Sequence, residues 1–343
     1  MKAIMGTREK VLGLLEEHRG EYLSGEGIAQ RLGVSRNAVW KGISALKEEG
    51  YQIASVTKKG YCLLESNDIL SIAGIMQALG KERGLKEENI HLYDSLPSTN
   101  REAIRLAAEE KEGLQLVIAE TQSQGRGHRE HSFLSPKGGI YMSLLLHPEE
   151  LPFETESAAI LTAYGAVSVA KAIERRTGCS LQIKWVNDLF LNRRKVCGIL
   201  TEAGSDFESG HLKWIVMGIG INFSTSIEEF PKELQERVAS LYPSTDGEKE
   251  SRLTRNELIA EIVMELLQGG GMPDQREENL QALLQEYQER LLYRGEERRI
   301  LSAGEKEEAF FARIEGVDEE GKLLVRDREG RERRLSFRKW AIA

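Results

Sequence analysis

The spacing of apolar side chains over the first 50 positions predicts three helices. Apolar residues recur at helical intervals over residues 7–18, where Thr7 is expected to cap the first helix. A second, shorter helix is predicted over residues 25–32, after which Gly33 supplies a tight turn. A third helix is predicted over residues 35–49, because a serine opens the segment and an apolar stripe follows it. Helices connected in this way are typical of a helix-turn-helix.

The residues after the third helix predict a basic hairpin. Short strands are expected over residues 52–56 and 60–64, and the turn Thr57-Lys58-Lys59-Gly60 joins them. Residues 31–60 carry six basic and two acidic side chains, so this stretch is strongly positive. Helices followed by a basic hairpin form the plan of a winged helix-turn-helix, whose third helix enters the major groove while the wing touches phosphate.

The polar face of the third helix and the tip of the wing are the expected DNA contacts. Val39, Ile43 and Leu46 form the apolar stripe, which leaves the polar side chains of this helix outside. Trp40 fits either a core position or the edge of the DNA face. A three-helix packing module without DNA remains the alternative, although it does not explain the basic surface. Within a helix-turn-helix from about Gly25 to Ser44 and its wing, the expected contacts are Ser35, Arg36, Asn37, Lys41, Ser44, Lys47, Lys58 and Lys59.

From about residue 90 the pattern changes to strands that alternate with helices. A connecting helix is predicted before this change, over residues 66–85. Apolar strands are predicted over residues 114–119 and 140–146, and the polar stretch 122–139 between them is rich in glycine, arginine and histidine. A loop of that length inside a compact domain is usually functional or disordered.

The second half of the chain continues this alternation and then changes to short strands. A helix is predicted over residues 157–177, and residues 251–292 are predicted to be helical with a break at 269–271. The short apolar segments and glycine turns after Gly295 indicate a small β-barrel or SH3-like domain. Further strands are expected over residues 181–186, 189–191 and 195–202, and within 211–223.

The composition suits a globular α+β protein with more than one domain. A chain of 343 residues exceeds one typical core, and we expect domains at 1–65, 66–290 and 291–343. No apolar run approaches the roughly 20 residues that span a membrane, and the N-terminus has no secretory pattern, so we expect a cytoplasmic protein without a membrane partner. Three cysteines without CxxC spacing argue against a disulfide framework or a zinc knuckle. The net charge of −8 argues against a chain covered in nucleic acid.

Three short segments of the middle region are chemically distinctive. In Gly125-Arg126-Gly127 the glycines let the backbone approach a ligand, and the guanidinium can grip an anion. In residues 181–188 Lys184 interrupts an apolar strand, where a lysine must either reach solvent or meet an anion. In residues 217–222 glycine alternates with apolar residues, as it does where a ligand approaches a strand closely. Each segment is weak evidence by itself.

The sequence motifs that are missing narrow the chemistry. The chain has no Walker A loop, no GxSxG, no HExxH and no GxGxxG that opens a helix. It also has no evident pair of nucleophile and base. A reaction that needs only positively charged side chains to hold its substrates fits this set of residues. Attack of a carboxylate on ATP is such a reaction, because the protein has to orient two anions and neutralise the charge that develops.

In their order along the chain, these segments resemble the signature of the bifunctional biotin–protein ligases that also repress biotin genes. The resemblance covers nearly the whole chain, including the winged helix and the small β-domain. It implies a central mixed-sheet α/β catalytic domain of the biotin/lipoate ligase type and a C-terminal SH3-like β-barrel. It rests on Ser98-Thr99-Asn100, on Gln122 with Gly125-Arg126-Gly127, on Lys184-Trp185-Val186-Asn187-Asp188, on Lys195 with Gly198-Ile199-Leu200, and on Gly218-Ile219-Gly220-Ile221-Asn222.

The resemblance implies an activity, its cofactors and its partners. Biotin and ATP, with Mg²⁺, would give biotinyl-AMP, and the biotin would then pass to a lysine of a biotin carboxyl carrier protein. The adenylate-bound form would be a homodimer that binds the operator DNA of biotin genes.

The resemblance also implies roles for individual residues. Lys184 would contact the carboxylate and the α-phosphate, and Arg126 would close over the product; these two are the expected catalytic residues. Phe133 and Asn222 would lie near the adenine. Ser98, Thr99 and Gln122 would lie against biotin. The remaining residues that the resemblance places in the biotin and adenylate site are Asn100, Gly125, Gly127, His128, Arg129, Asn187, Asp188, Lys195, Gly198, Gly218 and Gly220.

The polar loop departs from the family pattern in several places. The family has arginine after the Gly-Arg-Gly triplet, a further arginine three positions later and a nearby tryptophan, whereas this chain has His128, His131 and Phe133, and Glu130 adds a negative charge. Histidine is mostly neutral near pH 7, so the loop carries less fixed positive charge and we expect the adenylate to escape sooner. A metal pair of the two histidines is disfavoured, because no third ligand is close in sequence. Val186 replaces the usual proline.

Three other functions stay open at this point. A lipoate or octanoyl transfer enzyme has the same catalytic fold and lysine, but the winged helix and the Gly-Arg-Gly loop argue against it. A biotin-sensing regulator that has lost catalysis is disfavoured by Lys184 and Arg126, although the altered loop fits it. A ligase whose helix-turn-helix no longer binds DNA would be distinguished by a DNA-binding assay.

Overall fold

The chain forms two compact units in a computed structural model. The first unit contains residues 6–80 and 253–261, and the second contains the described residues from 84 to 242 and from 262 onward. Among the described residues, every helix is too short or too polar to span a lipid bilayer. The domain boundaries expected near residues 65 and 290 stay predictions. The structure describes residues 6–80, 84–111, 113–128, 132–155, 157–205, 210–242, 253–268, 275–302 and 309–343.

The first unit begins with three helices and an antiparallel hairpin, which confirms the predicted winged helix-turn-helix. The hairpin strands pair in register from Ile53 opposite Leu63 to Val56 opposite Gly60. Each predicted strand is one residue longer than the observed one: the first was expected to begin at residue 52, and the second to end at residue 64. The elements are α1 (Thr7–Glu17), α2 (Gly25–Leu32), α3 (Arg36–Glu48), β1 (Ile53–Val56) and β2 (Gly60–Leu63).

Local chemistry sets the ends of these helices. Gly33 adopts a left-handed conformation with φ of 65°, which ends α2 and turns the chain. The Ser35 hydroxyl caps α3 by accepting a hydrogen bond from the Ala38 backbone N–H at 3.1 Å. The predicted Thr7 cap is wrong, because Thr7 is already helical and Gly6 occupies the N-cap position without a side-chain hydrogen bond.

The core of the first unit contains the predicted apolar stripe of α3. Val39, Ile43 and Leu46 are fully or almost fully buried and pack with residues of α1, such as Leu15, in one hydrophobic cluster. Trp40 is 57% exposed and does not pack against this cluster, so a core position for Trp40 is wrong.

The connecting helix is shorter than the predicted range 66–85. It is α4 (Ile72–Leu79), and the residues before it are held instead by a segment that is distant in sequence. The Arg255 guanidinium pairs with the Asp68 carboxylate at 3.2 Å, and the Ser71 N–H donates to Asn256 Oδ1 at 3.1 Å. These contacts explain why the start of α8 (Arg255–Gln268) belongs to the first unit.

The second unit is built on the predicted mixed sheet. Its strand order is β3-β4-β5-β9-β8-β7-β6; β3 and β4 are parallel, and the other neighbours are antiparallel. The strand β6 stops after three residues, whereas the predicted strand continued to Val186. The strands are β3 (Ile90–Leu96), β4 (Gln115–Gln122), β5 (Ile140–Leu146), β6 (Gln182–Lys184), β7 (Asp188–Leu191), β8 (Arg194–Ser205) and β9 (Leu212–Ile221).

Helices cover this sheet and position its functional end. The helix α5 (Thr99–Ala108) packs against β4, β5 and β9. The long helix α6 (Ala158–Thr177) matches its predicted range, and the Ser157 hydroxyl caps it. α6 packs against β8 and α9 (Arg276–Glu289), while the short helix α7 (Lys232–Gln235) follows the last strand of the sheet.

The predicted small C-terminal β-domain is a five-stranded antiparallel sheet in the order β13-β12-β11-β10-β14. Side-chain hydrogen bonds fix it to the rest of the second unit: Trp185 Nε1, just after β6, donates to the Gly321 carbonyl at 3.0 Å, and Ser157 Oγ, at the start of α6, donates to the Glu320 carbonyl at 2.9 Å. Trp185 therefore leaves the strand β6 to hold the β-domain. The strands are β10 (Glu297–Ser302), β11 (Ala309–Val317), β12 (Leu323–Asp327), β13 (Glu332–Leu335) and β14 (Trp340–Ile342).

Candidate functional site

A cavity of about 280 Å³ in the second unit brings most of the predicted site residues together. Concave sites of this size that mix apolar and polar lining are typical of small-ligand sites. Arg129, Glu130 and His131 lie outside the described residues. The predicted residues that line the cavity are Ser98, Thr99, Asn100, Gln122, Arg126, Gly127, His128, Phe133, Lys184, Asn187, Asp188, Lys195, Gly198, Gly218 and Gly220.

One wall of the cavity is a fixed polar network at the start of α5. The Thr99 N–H donates to Gln122 Oε1 at 2.8 Å, and the Thr99 hydroxyl lies 3.2 Å from the same oxygen. Gln122 Nε2 in turn donates to Ser135 Oγ at 2.9 Å. The orientation of the Gln122 amide is therefore set by its partners at both ends.

Asn100 links this wall to the arginine of the loop through a glutamate that the sequence did not single out. Asn100 Nδ2 donates to Glu202 Oε2 at 2.8 Å, and the other oxygen of Glu202 lies 3.4 Å from an Arg126 guanidinium nitrogen. A Cβ on Gly218 would collide with Asn100 Oδ1, so this strand position has to be glycine. The Arg126 side chain is 51% exposed, which makes its ion pair weak and easily exchanged for another anion.

Two lysines supply positive charge on the opposite side. Lys195 Nζ pairs with Asp188 Oδ1 at 2.7 Å. Burial lowers the pKa of Lys184, and the nearby charges of Arg237, Lys195 and Arg298 lower that pKa further, while Asp188 opposes them. Among the described residues, no carboxylate lies within 4.0 Å of Lys184 Nζ. Lys184 is thus a largely buried cation without an ion-pair partner, which an incoming anion would stabilise.

The floor of the cavity is an aromatic ring over two glycines. An ideal Cβ on Gly220 would stand 2.5 Å from Phe133 Cε1, and one on Gly198 would stand 3.1 Å from Phe133 Cε2. Lys195 Nζ lies 5.7 Å from the centre of the same ring, and Tyr141 meets it edge-on. The glycines of β8 and β9 are therefore required by the close approach of Phe133.

Two predicted site residues do not line the cavity. Asn222 is 3% exposed, and its Nδ2 donates to the Ala239 carbonyl at 3.2 Å, which holds the segment after α7. Asn222 Oδ1 has no hydrogen-bond partner among the residues described. Gly125 lies behind the lining, where a Cβ would collide with the Phe133 carbonyl oxygen.

Residues of the C-terminal sheet complete the cavity, and sequence reasoning missed them. Phe337, Trp340, Ala341 and Ile342 line it. The Phe337 ring lies 5.2 Å from the His128 ring, so the loop and the C-terminal sheet meet at the mouth. These are ordinary apolar residues near the end of the chain, and no sequence signal set them apart. The other lining residues outside the prediction are Ser132, Trp185, Val186, Ile199, Leu200 and Ile219.

Most of the expected DNA contacts are exposed side chains of the first unit. Arg36, Asn37, Lys41 and Lys47 of α3 and the wing lysines are exposed, whereas Ser44 is half-buried and Ser35 caps the helix. Lys47 Nζ donates to Ser55 Oγ at 2.7 Å, which ties α3 to the wing. Lys59 at the wing tip lies 5.7 Å from the centre of the Tyr22 ring, and Lys58 stands beside it in the turn.

Comparison with known proteins gives consistent results for both units. The family described as biotin/lipoate A/B protein ligase matches residues 92–222, and a family described as an HTH domain matches residues 7–62. The bifunctional ligase/repressor BirA of Bacillus spizizenii is 32% identical over 331 residues, which cover 94% of this chain and 95% of the relative. The BirA of Escherichia coli is 30% identical, covering 92% of this chain and 91% of the relative.

A solved structure has the same fold in its ligase part. The biotin protein ligase of Aquifex aeolicus, determined in complex with biotin and ATP, superposes with a TM-score of 0.59 at 24% identity. The match covers 75% of this chain and 99% of the solved chain.

Proposed function

Since the chain belongs to the family of bifunctional ligase/repressors, we propose that it activates biotin with ATP and transfers the biotin to a lysine of a biotin carboxyl carrier protein. The observation that carries this proposal is the cavity that gathers a fixed polar wall and the cations Arg126, Lys184 and Lys195. Such a site can hold two anions side by side. The same chain is proposed to repress biotin genes by binding operator DNA through its N-terminal winged helix.

The first step joins two anions. A carboxylate oxygen of biotin attacks the α-phosphorus of ATP, the bond from that phosphorus to the bridging oxygen breaks, and pyrophosphate leaves. Lys184 and Lys195 neutralise the charge that develops on the phosphoryl oxygens. Arg126 leaves Glu202 and closes over the adenylate with the loop, since its exposed ion pair costs little to break.

The remaining residues orient the two substrates. The polar wall of Ser98, Thr99 and Gln122 takes the hydrogen-bonding groups of biotin. Phe133, which lines the cavity, stacks near the adenine. The buried Asn222 acts only by holding the segment after α7 through the Ala239 carbonyl. In the second step the amine of the acceptor lysine attacks the carbonyl carbon of biotinyl-AMP, loses a proton, and AMP leaves.

Mg²⁺ fits this site as an ion that arrives with ATP. Among the described residues, no three histidine, cysteine or acidic side chains form a group that could hold a metal. Mg²⁺ is commonly held by one or two carboxylates together with substrate phosphates. Asp188, which lines the cavity, is the carboxylate that would hold it, and the ion would supply charge neutralisation at the phosphates.

The proposed regulation joins the two activities. We propose that the adenylate-bound protein forms a homodimer, which places two copies of α3 and its wing on a two-fold operator. Analytical ultracentrifugation with and without biotin and ATP measures the dimer, and a gel shift under the same conditions measures DNA binding. A protein that binds DNA equally well without biotin would contradict this regulation.

The direct test of the ligase is transfer of radiolabelled biotin to a purified biotin carboxyl carrier domain. We expect ATP-dependent labelling of the carrier, and none when its acceptor lysine is replaced by arginine. Lipoate in place of biotin should give no labelling, which separates this protein from a lipoate or octanoyl transfer enzyme. A protein that binds biotin but releases no pyrophosphate from ATP would instead be a sensor without catalysis.

A further inference from the structure

A large aromatic side chain is exposed on the proposed DNA-binding helix. Trp40 on α3 is 57% exposed, although burying a tryptophan usually stabilises a small domain more than burying any other side chain. It is absent from the hydrophobic cluster of the first unit and from the partly buried residues that pack against that cluster. Its position therefore needs an explanation other than folding.

Trp40 lies on one helical stripe with polar residues that also face outward. Asn37, Trp40, Lys41 and Ser44 follow the spacing i, i+3, i+4 and i+7, which puts them on one face of α3. The centre of this face is opposite the stripe that the core buries, and Trp40 lies at its edge.

The neighbours at both ends of this face are already engaged, whereas the centre is not. The Arg36 guanidinium pairs with Glu26 at 3.5 Å, and Lys47 Nζ donates to Ser55 Oγ at 2.7 Å. Within the described part of the chain, Asn37, Trp40 and Lys41 make no side-chain hydrogen bond or ion pair. The unengaged residues are thus one aromatic, one amide and one cation, next to each other on the helix.

We infer that Trp40 reads base edges in the major groove and contacts the 5-methyl group of a thymine in the operator. This inference rests on the proposed DNA binding and goes beyond it by assigning sequence discrimination to one side chain. The basic surroundings favour a nucleic acid over an apolar protein surface, because Lys41 follows Trp40 on α3 and the wing of the same unit carries the exposed Lys58 and Lys59. Apolar contact with the thymine methyl is one of the ways in which a protein distinguishes bases.

The chemistry gives distinct expectations for the three unengaged residues. A lysine that meets phosphate raises affinity for every sequence, while an apolar contact raises it only where a methyl group stands in the right place. Removing one buried methyl group costs about 0.8 kcal/mol, which corresponds to about a fourfold loss of affinity. Losing the whole indole should cost about 10- to 100-fold on the preferred sequence and much less on unrelated DNA.

The experiment pairs a protein change with a DNA change. The full-length protein, with biotin and ATP, first selects a duplex from a random-sequence pool. Each thymine of that duplex is then replaced by uracil, which removes only the 5-methyl group, and affinity is measured by fluorescence anisotropy. The affinity of the wild type should fall about fourfold when uracil replaces thymine at one or two positions in each half-site. The affinity of Trp40→Ala should not change with uracil at those same positions.

Lys58→Gln on the wing is the matched control. It should weaken binding to all duplexes about equally and reduce the slope of the salt dependence by about one, while keeping the uracil sensitivity of the wild type. Trp40→Phe provides a second variant that retains an apolar ring and should keep part of the discrimination. Because Trp40 is exposed, Trp40→Ala and Trp40→Phe should both leave the thermal unfolding midpoint within about 2 °C of the wild type.

The possible results separate the inference from the function on which it rests. If the wild type selects no sequence, the proposed repressor function fails and this inference fails with it. If the wild type selects a sequence but Trp40→Ala stays as sensitive to uracil, only the inference is overturned. A Trp40→Ala variant that loses self-association while binding DNA normally would assign the indole to a second copy of the chain and would also overturn it.

Discussion

Alanine in place of Gly220 should displace the aromatic floor of the cavity. Gly220 on β9 and Gly198 on β8 are cross-strand partners, and the ring of Phe133 lies over both. An ideal Cβ on Gly220 would stand 2.5 Å from Phe133 Cε1 and 2.8 Å from Cζ, whereas one on Gly198 would stand 3.1 Å from Cε2. Carbon atoms pack best at about 3.5–4.0 Å, so the ring must shift by about 1 Å for Gly220→Ala and by only a few tenths for Gly198→Ala.

The magnitude follows from where the ring can go. Forcing an extra methyl group into a packed region costs about 1–3 kcal/mol. Phe133 is only half-buried and lies in the loop, so it can move towards solvent and spare the rest of the fold. The cost then falls on the ligand site, where a misplacement of about 1 Å can lower a rate by about 100-fold. We expect kcat/KM for adenylation to fall about 10- to 100-fold for Gly220→Ala and less than about fivefold for Gly198→Ala.

The assay is biotin-dependent exchange of pyrophosphate into ATP, with urea unfolding as the control for stability. The free energy of unfolding should change by less than about 1 kcal/mol in both variants. A double-mutant cycle with Phe133→Ala provides the decisive comparison. In the Phe133→Ala background, where the ring is absent, Gly220→Ala should lower kcat/KM by less than about threefold. If Gly220→Ala were equally damaging with and without Phe133, the close approach to the ring would not be the reason for the glycine.

Three further outcomes are expected. His128→Arg should restore fixed charge to the loop and slow release of biotinyl-AMP several-fold in a stopped-flow assay, and equal release rates would contradict this. Trp185→Phe leaves the Gly321 carbonyl without its donor, so urea unfolding should show a loss of about 1–2 kcal/mol; no loss would mean that the 3.0 Å hydrogen bond adds nothing. The pKa of Lys184 is lowered from 10.5 in the folded state. Between the folded pKa and 10.5 the unfolded chain therefore binds more protons than the folded chain. The free energy of unfolding should accordingly rise with pH over that interval. Lys184→Met should lack this rise and be at least as stable as the wild type near neutral pH, and a destabilised variant would show that the lysine is not the buried, unpaired cation described above.

The bounds of helices and strands are predicted accurately where the local apolar pattern is strong, and wrongly where contacts distant in sequence decide the structure. The apolar pattern predicts the ends of the strand β5 and of the helix α6 to within one residue, because each pattern is long and has sharp limits. The connecting helix was predicted too long, because the segment before Ser71 is held by Arg255 and Asn256, more than 180 positions away. No local pattern contains that information.

The site shows the same division. Motif residues that are far apart in sequence do meet in one cavity, as the family signature implied. Glu202 and Phe337 were missed because a glutamate in a strand and a phenylalanine near the end of the chain are ordinary residues until the fold brings them to the loop. Trp40 could be placed only when its exposure was known, because helical spacing put it between the core and the outer face.

The central claim is that the cations of one cavity drive the joining of a carboxylate to the α-phosphate of ATP. Biotin-dependent exchange of labelled pyrophosphate into ATP measures that step without a carrier protein or DNA. The wild type should catalyse exchange with biotin and not with lipoate, Lys184→Gln should lower it clearly, and Lys184→Gln combined with Lys195→Gln should lower it by at least about 100-fold. Exchange at the wild-type rate in the double variant would contradict the account.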